Sequence, residues 1–418
     1  MTIFNFSDLI NFYPENEYWY KTWGYPGKEE GYDIAIDSDD NIYLVGYTKA
    51  TDNDKPDIIL IKFDDSGKLK WYKTWGGNTS DVGYCLGINS KDEIFVGGYT
   101  ENSKSMDFDI ILLKYDTSGS LLLNNTWSKP ENEVAYDLVI DNDDNVYLSG
   151  YTESVGKGRK DMLIIKYRSS GYMVWNKTWG KEYDDIATSV DLISEDTICI
   201  AGYSKENEHN YCSFRIAGFK SDGKLEWDNH WALNEGLNKK INDIAIDNSK
   251  NIYIAGSYEN RYENCKSDMI LMKTYEDKKE SWEIKCNNEN SAWGEAITLD
   301  KYGNIYIAGH TKKEYNIDYD IVVLKYDNSG INQWSSVWSK KGKDYCYGII
   351  TNSKDIYIVG STNSKGEGDY DVLLIKNSPV NKEPIDIFLI NIYFILGIVC
   401  ICIIGFSLFK LIKLRKLK

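Results

Sequence analysis

The chain repeats itself, and that constrains its fold more than anything else in it. NIYLVGYT at residues 41–48 returns six more times, most plainly as NVYLSGYT at 145–152, NIYIAGSY at 251–258 and NIYIAGHT at 304–311. Its glycine falls at Gly46, Gly98, Gly150, Gly202, Gly256, Gly309 and Gly360, with spacings of 52, 52, 52, 54, 53 and 51 residues. Seven copies at a nearly fixed period mark a repeat architecture. A length of 418 residues would otherwise suggest two or three domains; a closed repeat array of this size is one.

Each unit holds four short β patterns, a to d. In the first unit these are a at 32–36, b at 41–47, c at 57–63 and d at 69–75. The runs are rich in Ile, Val, Tyr and Trp and are bounded by Asp, Asn, Ser and Gly, the residues that make turns. Pattern c is apolar on both faces, as at 58–61, 110–113 and 162–165, so both faces must be covered. Pattern d carries Trp four residues apart, as at Trp71/Trp75 and Trp175/Trp179, and such positions share one strand face. Twelve of the 13 tryptophans follow this pattern and are expected to fill the gaps between sheets; Trp293 is the exception. The a-b-c set occurs seven times, but no d pattern follows the last. An extra d pattern stands at 18–24 instead, matching 70–76 almost residue for residue. The first strand of the chain therefore completes the last unit and closes a ring. The expected fold is all-β, a seven-bladed β-propeller of four-stranded antiparallel blades, with a C-terminal transmembrane helix.

These residues, FDDSGKLKW at 63–71, IAID at 34–37 and the motif at 41–48, resemble the SBBP repeat, named for the seven-bladed β-propeller. The resemblance runs over about residues 18–376. It implies the fold, and a scaffold or binding role in a secreted or surface protein, without implying an activity. Unit four departs most: Ser213 replaces the strand-c Asp, and Gly218 replaces the Lys found at Lys62, Lys114, Lys166, Lys273, Lys325 and Lys376. WD40 periodicity is absent, since Gly-His and Trp-Asp occur once each.

Residues 1–17 read as a leader. They lack the positive start and unbroken apolar run of a signal peptide. After a linker at 377–386, residues 387–409 carry no charge over 23 positions, enough for a membrane-spanning helix. The basic tail at 410–418 is expected in the cytoplasm, placing the propeller outside the cell. A tail-anchored protein with a cytosolic propeller is the alternative; it needs no export signal.

The net charge is −16, and −21 without the five positive charges of the tail. So acidic a surface repels nucleic acid, which is excluded as a partner. The eight cysteines include no CxxC, and buried free thiols are expected, with a Cys212–Cys265 bridge left open. The acid-rich a–b turns, such as DSDDN at 37–41, are too short for a calcium loop and read as turn chemistry. The strand-c Asp (Asp57, Asp109, Asp161, Asp268, Asp320, Asp371) reads as framework that bonds backbone at a loop corner. No nucleophile elbow, phosphate loop or His-Glu-x-x-His pair occurs, so no catalytic, cofactor or metal residue is assigned. What varies between units is the b–c loops and the d–a loops, which share one face of a propeller. Variable loops on a rigid scaffold are where binding resides. The candidate ligand face comprises Tyr258, Tyr262, Trp293, His310, Tyr315 and Tyr319. Three functions are open: a membrane-anchored surface scaffold binding a protein or glycan, a hydrolase or lyase acting at the channel mouth, or a structural envelope component.

Overall fold

The computed structural model describes residues 2–5, 18–49, 55–205, 212–231, 237–260, 266–276, 282–287, 291–312, 317–352 and 354–378. These form seven sheets arranged as blades I to VII. In blade I the strands are a Glu29–Ile36, b Ile42–Thr48, c Asp57–Phe63 and d Leu69–Trp75. Blade VII contains Asp344–Thr351, Ile356–Thr362 and Asp371–Asn377, and its outer strand is Tyr18–Trp23 from the start of the chain. That strand pairs antiparallel with strand c from Tyr18↔Asn377 to Trp23↔Val372, which closes the ring. Trp19 and Trp23 then pack on the apolar core shared by blades VII and I.

The recurring glycine has a steric cause. Strand a carries a bulge at the same point in every blade, between Gly31 and Asp33 in blade I and between Cys346 and Gly348 in blade VII. The bulge pushes the strand-a backbone against strand b. A Cβ on Gly46 would lie 1.8 Å from the Glu30 carbonyl oxygen; at Gly98, Gly150, Gly202, Gly256, Gly309 and Gly360 the same contact is 2.0, 1.9, 1.9, 2.1, 1.8 and 1.8 Å. No side chain fits there, so the motif needs glycine for close backbone approach rather than for a ligand.

Outer strands lock neighbouring blades. Trp71 of blade I packs over Gly119 in the c–d turn of blade II, as Trp19 does over Gly67 and Trp175 over Gly223. These turn glycines have φ of +76° to +85°, a conformation that disfavours a side chain. The strand-c lysines lie over the strand-b aromatic ring: Lys62 over Tyr43 at 4.7 Å, Lys166 over Tyr147 at 4.9 Å, Lys376 over Tyr357 at 5.3 Å. Blade IV has Cys199 at that strand-b position. With no ring to cover, Gly218 replaces the lysine, and the Trp227 indole takes the space that a Cβ there would fill.

The a–b turns are built as turn chemistry. Asp37 accepts the backbone N–H groups of Asp39 (3.0 Å) and Asn41 (2.8 Å) and the Tyr43 hydroxyl (3.0 Å). Asp141, Asp247 and Asp300 repeat the arrangement. Strand a differs from the sequence expectation, starting three residues earlier at Glu29. The polar pair Glu29-Glu30 hides it, although both side chains are buried. Asp161 accepts the Gly158 N–H at 2.9 Å, the loop-corner bond expected of the strand-c Asp. Thr2–Asn5, within the expected leader, add a fifth, parallel strand to the outer edge of blade V. Cys85, Cys199 and Cys346 are buried free thiols. The expected membrane span at 387–409, the basic tail and Cys265 lie outside the described residues.

Two outcomes test this fold. Replacing Gly202 by Ala should lower stability by about 3 kcal/mol, read by urea unfolding, because the added methyl overpacks a buried backbone contact. Deleting residues 1–24 should leave blade VII with an open edge and make the protein self-associate on size-exclusion chromatography. A monomeric deletion variant with an unchanged melting temperature refutes closure by the first strand.

Candidate functional site at the channel mouth

The b–c and d–a loops do share one face. Backbone bonds join them across blades, as Asp81 N–H to Pro56 O at 2.7 Å and Asp185 N–H to Lys160 O at 2.8 Å. Strand a forms the inner wall, and the residue two before its bulged one stands at the mouth on this face. Its register partners are Glu30↔Tyr47, Val82↔Tyr99, Val134↔Tyr151, Ile186↔Tyr203, Lys240↔Ser257, Trp293↔His310 and Tyr345↔Ser361. Blades II to IV thus present aliphatic residues backed by tyrosine. Blades V, VI, VII and I present Lys, Trp, Tyr and Glu. The mouth is two-sided.

The second side is aromatic. Trp293 stacks on His310 with centroids 5.1 Å apart and planes at 27°. Tyr319 and Tyr345 meet the same imidazole edge-on at 5.7 and 5.2 Å, and Tyr370 lies 6.1 Å from Tyr345. Lys28 Nζ sits 5.4 Å over the Tyr370 ring and 2.8 Å from Glu30 Oε1. Below the mouth the ring contacts continue along the bulged residues: Tyr345 to Tyr347 at 6.2 Å, Tyr347 to Tyr32 at 5.1 Å, Tyr32 to Tyr84 at 5.0 Å, Tyr84 to Tyr136 at 5.2 Å. The bulged position in blades IV, V and VI holds Thr188, Asn242 and Glu295.

His310 is 9 % exposed, and its Nδ1 has no hydrogen-bond partner; Glu295 Oε1 stands 3.8 Å away. Burial pushes the imidazole down to about 4, so it is neutral at pH 7. Burial pushes Glu295 up to about 7, against the pull of Lys240. The side chains of Asp33, Asp137 and Asp243 follow the bulge on strand a and stitch blade to blade. Their Oδ2 atoms accept the N–H groups of Leu86, Val190 and Ile297 in the next blade at 2.7, 2.8 and 2.9 Å. The Ser189 hydroxyl lies 2.9 Å from Asp137 Oδ2 and 2.8 Å from Asp243 Oδ1. One hydroxyl proton serves one carboxylate, so the other carboxyl must hold a proton to complete the bridge. Desolvation agrees with this: it raises Asp33 to about 7, Asp243 to about 6 and Asp137 well above the usual range.

Of the six residues expected on the ligand face, Trp293, His310 and Tyr319 come together. Tyr258 sits elsewhere, at the end of strand b of blade V, with Lys285 Nζ 3.6 Å over its ring. Tyr262 and Tyr315 lie outside the described residues. Tyr345, Tyr370 and Glu295 join the cluster without having been singled out from sequence. Among the described residues no group of three His, Cys, Asp or Glu side chains gathers as a metal centre.

Comparison with known proteins agrees with the fold. The SBBP β-propeller repeat matches at residues 23–52 and 287–316, and the chain carries these repeats. No curated protein matches it. Among solved structures, a puromycin hydrolase S511A mutant complexed with PGG aligns at 10 % identity and a TM-score of 0.52, over 85 % of this chain and 55 % of that one. A protein of unknown function from Dyadobacter fermentans DSM 18053 aligns at 8 % identity and 0.49, over 86 % and 97 %. The β-propeller domain of the Trilobed protease from Pyrococcus furiosus aligns at 10 % and 0.49, over 87 % and 99 %. At 10 % identity the likeness to the hydrolase is one of fold.

The lumen acids set a pH dependence. Asp191, further along strand a of blade IV, likewise accepts the Ile246 N–H of the next blade at 2.8 Å. An unfolded carboxyl titrates at ~4, whereas Asp33, Asp191 and Glu295 are pushed up to about 7 when folded. Protons therefore bind the folded chain more tightly. That stability is complete below pH ~4 and is lost as pH rises through about 7. The melting temperature should fall by several degrees between pH 5 and pH 8, and a flat profile over that window would refute the protonated lumen.

Proposed function

We propose that this chain is a membrane-anchored binding scaffold that takes a glycan on the aromatic side of its channel mouth, with the propeller outside the cell. The supporting observation is the stacked cluster of Trp293, His310, Tyr319 and Tyr345, on the one side of the mouth that breaks the repeat. Flat aromatic faces edged by hydroxyl, carboxylate and ammonium groups suit sugar rings, which present apolar faces and a polar rim. Trp293, Tyr319, Tyr345 and Tyr370 all remain partly exposed, so a ligand can reach them. The anchor rests on the uncharged run at 387–409, and the outward placement on the basic residues after it. A mouth patterned this way has more than the uniform surface of a purely structural component.

The hydrolase reading draws on His310 beside Glu295 and on the fold shared with a puromycin hydrolase. It is the weaker of the two, because among the described residues the cluster brings no activated nucleophile to that histidine.

The full-length chain in detergent, probed on an oligosaccharide array, should bind a subset of sugars. Trp293→Ala and Tyr345→Ala should each weaken that binding about tenfold, or about 1.4 kcal/mol, while leaving the melting temperature within a few degrees. Absence of sugar binding, or binding unaffected by either change, refutes the glycan reading.

A further inference from the structure

At the loop face, an acid of strand c in one blade meets the first acid of strand a in the next. The pairs are Asp57–Asp81, Asp109–Glu133, Asp161–Asp185, Asp320–Asp344 and Asp371–Glu29. All ten side chains are at most 7 % exposed. The paired oxygens are close: a Cβ on Gly76 would lie 2.1 Å from Asp57 Oδ1 and 2.8 Å from Asp81 Oδ2, and one on Gly24 would lie 2.1 Å from Asp371 Oδ1 and 2.7 Å from Glu29 Oε2. Some lone pairs are used. At Asp371–Glu29 all four oxygens are: Glu29 accepts the Tyr25 N–H at 3.1 Å and the Thr48 hydroxyl at 3.0 Å, and Asp371 accepts the Glu367 and Gly368 N–H groups at 3.4 and 3.5 Å. Glu133 accepts the Thr152 hydroxyl at 2.9 Å. Four buried oxygens at these seams have no donor at all: Asp57 Oδ1, Asp81 Oδ1, Asp109 Oδ1 and Asp344 Oδ2. Buried, unpaired carboxylate oxygens beside a second carboxylate are strongly unfavourable without a positive charge.

One seam supplies that charge itself. Arg215, 4 % exposed, places Nη1 3.2 Å from Asp185 Oδ1. Arg215 pairs across strand b with Gly202, and the residues at the same register in the other acid-bearing blades are Ile59, Ile111, Leu163, Val322 and Leu373. Among the described residues no Lys or Arg forms an ion pair with the remaining four acid pairs. We propose that the three pairs that keep a donorless buried oxygen, Asp57–Asp81, Asp109–Glu133 and Asp320–Asp344, each bind a calcium ion that does for them what Arg215 does for Asp185. Among the described residues the donors are carboxylate and hydroxyl oxygens with no His or Cys, which selects a hard cation. Two carboxylates per site give the weak affinity of extracellular modules, near ~1 mM. The ions bridge successive blades, I to II, II to III and VI to VII.

The test is equilibrium dialysis of the full-length chain, stripped with chelator, against radioactive calcium chloride at about 1 mM. The three seams should bind three equivalents, and calcium chloride should raise the melting temperature. Asp57→Asn combined with Asp81→Asn should remove one equivalent. Because that variant can fail to fold, terbium luminescence on the unaltered chain gives a second readout. Trp75, Trp127 and Trp338 end the strands beside these seams and should sensitise bound terbium, with calcium displacing it. Less than one bound calcium, no sensitised terbium emission, or an unchanged stoichiometry in a folded double variant overturns the proposal. So does a melting temperature that responds to acidification but not to calcium, which would assign the neutralising charge to protons.

Discussion

The contact on which the rest depends is between a glycine of strand b and a carbonyl of strand a. It recurs in all seven blades at 1.8 to 2.1 Å from where a Cβ would stand. A bulge adds one residue to the inner strand without adding one to its neighbour, so the surplus must turn toward the axis. That surplus residue is Tyr32, Tyr84, Tyr136, Thr188, Asn242, Glu295 or Tyr347. A side chain on the facing strand would push the inner strand away, moving the lumen ring and the seam acids together. The period of the sequence is thus the period of one steric requirement, and lumen and mouth inherit their geometry from it.

Much of this was legible without coordinates. Strands c and d of blade I have the bounds read from composition, because apolar runs ended by Asp-x-Ser-Gly mark themselves. Ring closure followed from counting d patterns. The start of strand a escaped because Glu29 and Glu30 look like loop residues, yet Glu29 is buried where it accepts the Tyr25 N–H and the Thr48 hydroxyl. The site was half legible. Trp293 and His310 stand out as breaks in the repeat, and they stack. Tyr345 and Tyr370 are two of 33 tyrosines and carry no local mark. Tyr258 was grouped with His310 by loop position, but it pairs with Lys239 whereas His310 pairs with Trp293, one step apart in the shared register. A one-residue step turns a strand side chain to the opposite face.

Repetition and function pull in opposite directions here. Seven equivalent positions around an axis give a mouth with no preferred direction, and blades II to IV keep that sameness with Val82, Val134 and Ile186. Binding an asymmetric ligand needs the sameness broken on contiguous blades, so that the contacts form one patch. Blades V, VI, VII and I do this with Lys240, Trp293, Tyr345 and Glu30. The break costs the scaffold little, because none of these positions is the motif glycine or the strand-c core. Substitution at the mouth leaves the bulge and the packing between blades intact.

The acidic surplus, read from composition as a solubilising surface, divides into three physical kinds. Turn acids are held as anions: burial alone would raise Asp37 and Asp247, but hydrogen bonds from Asn41 and Asn251 and their neighbours offset it and leave both lowered. Lumen acids are held partly as neutral acids, since desolvation dominates Asp33, Asp137 and Asp243, and a single serine hydroxyl cannot serve two anions. Among the described seam acids, Asp57, Asp81, Asp109 and Asp344 each keep a buried oxygen without a donor, and Asp185 has the Arg215 cation. Acidification therefore weakens the turns and strengthens the lumen, so no single pH suits every part of the ring. The seams differ again, because a bound cation would neutralise them without drawing a proton from either neighbour. A propeller this acidic holds together because its carboxylates sit in different surroundings, each with its own source of compensation.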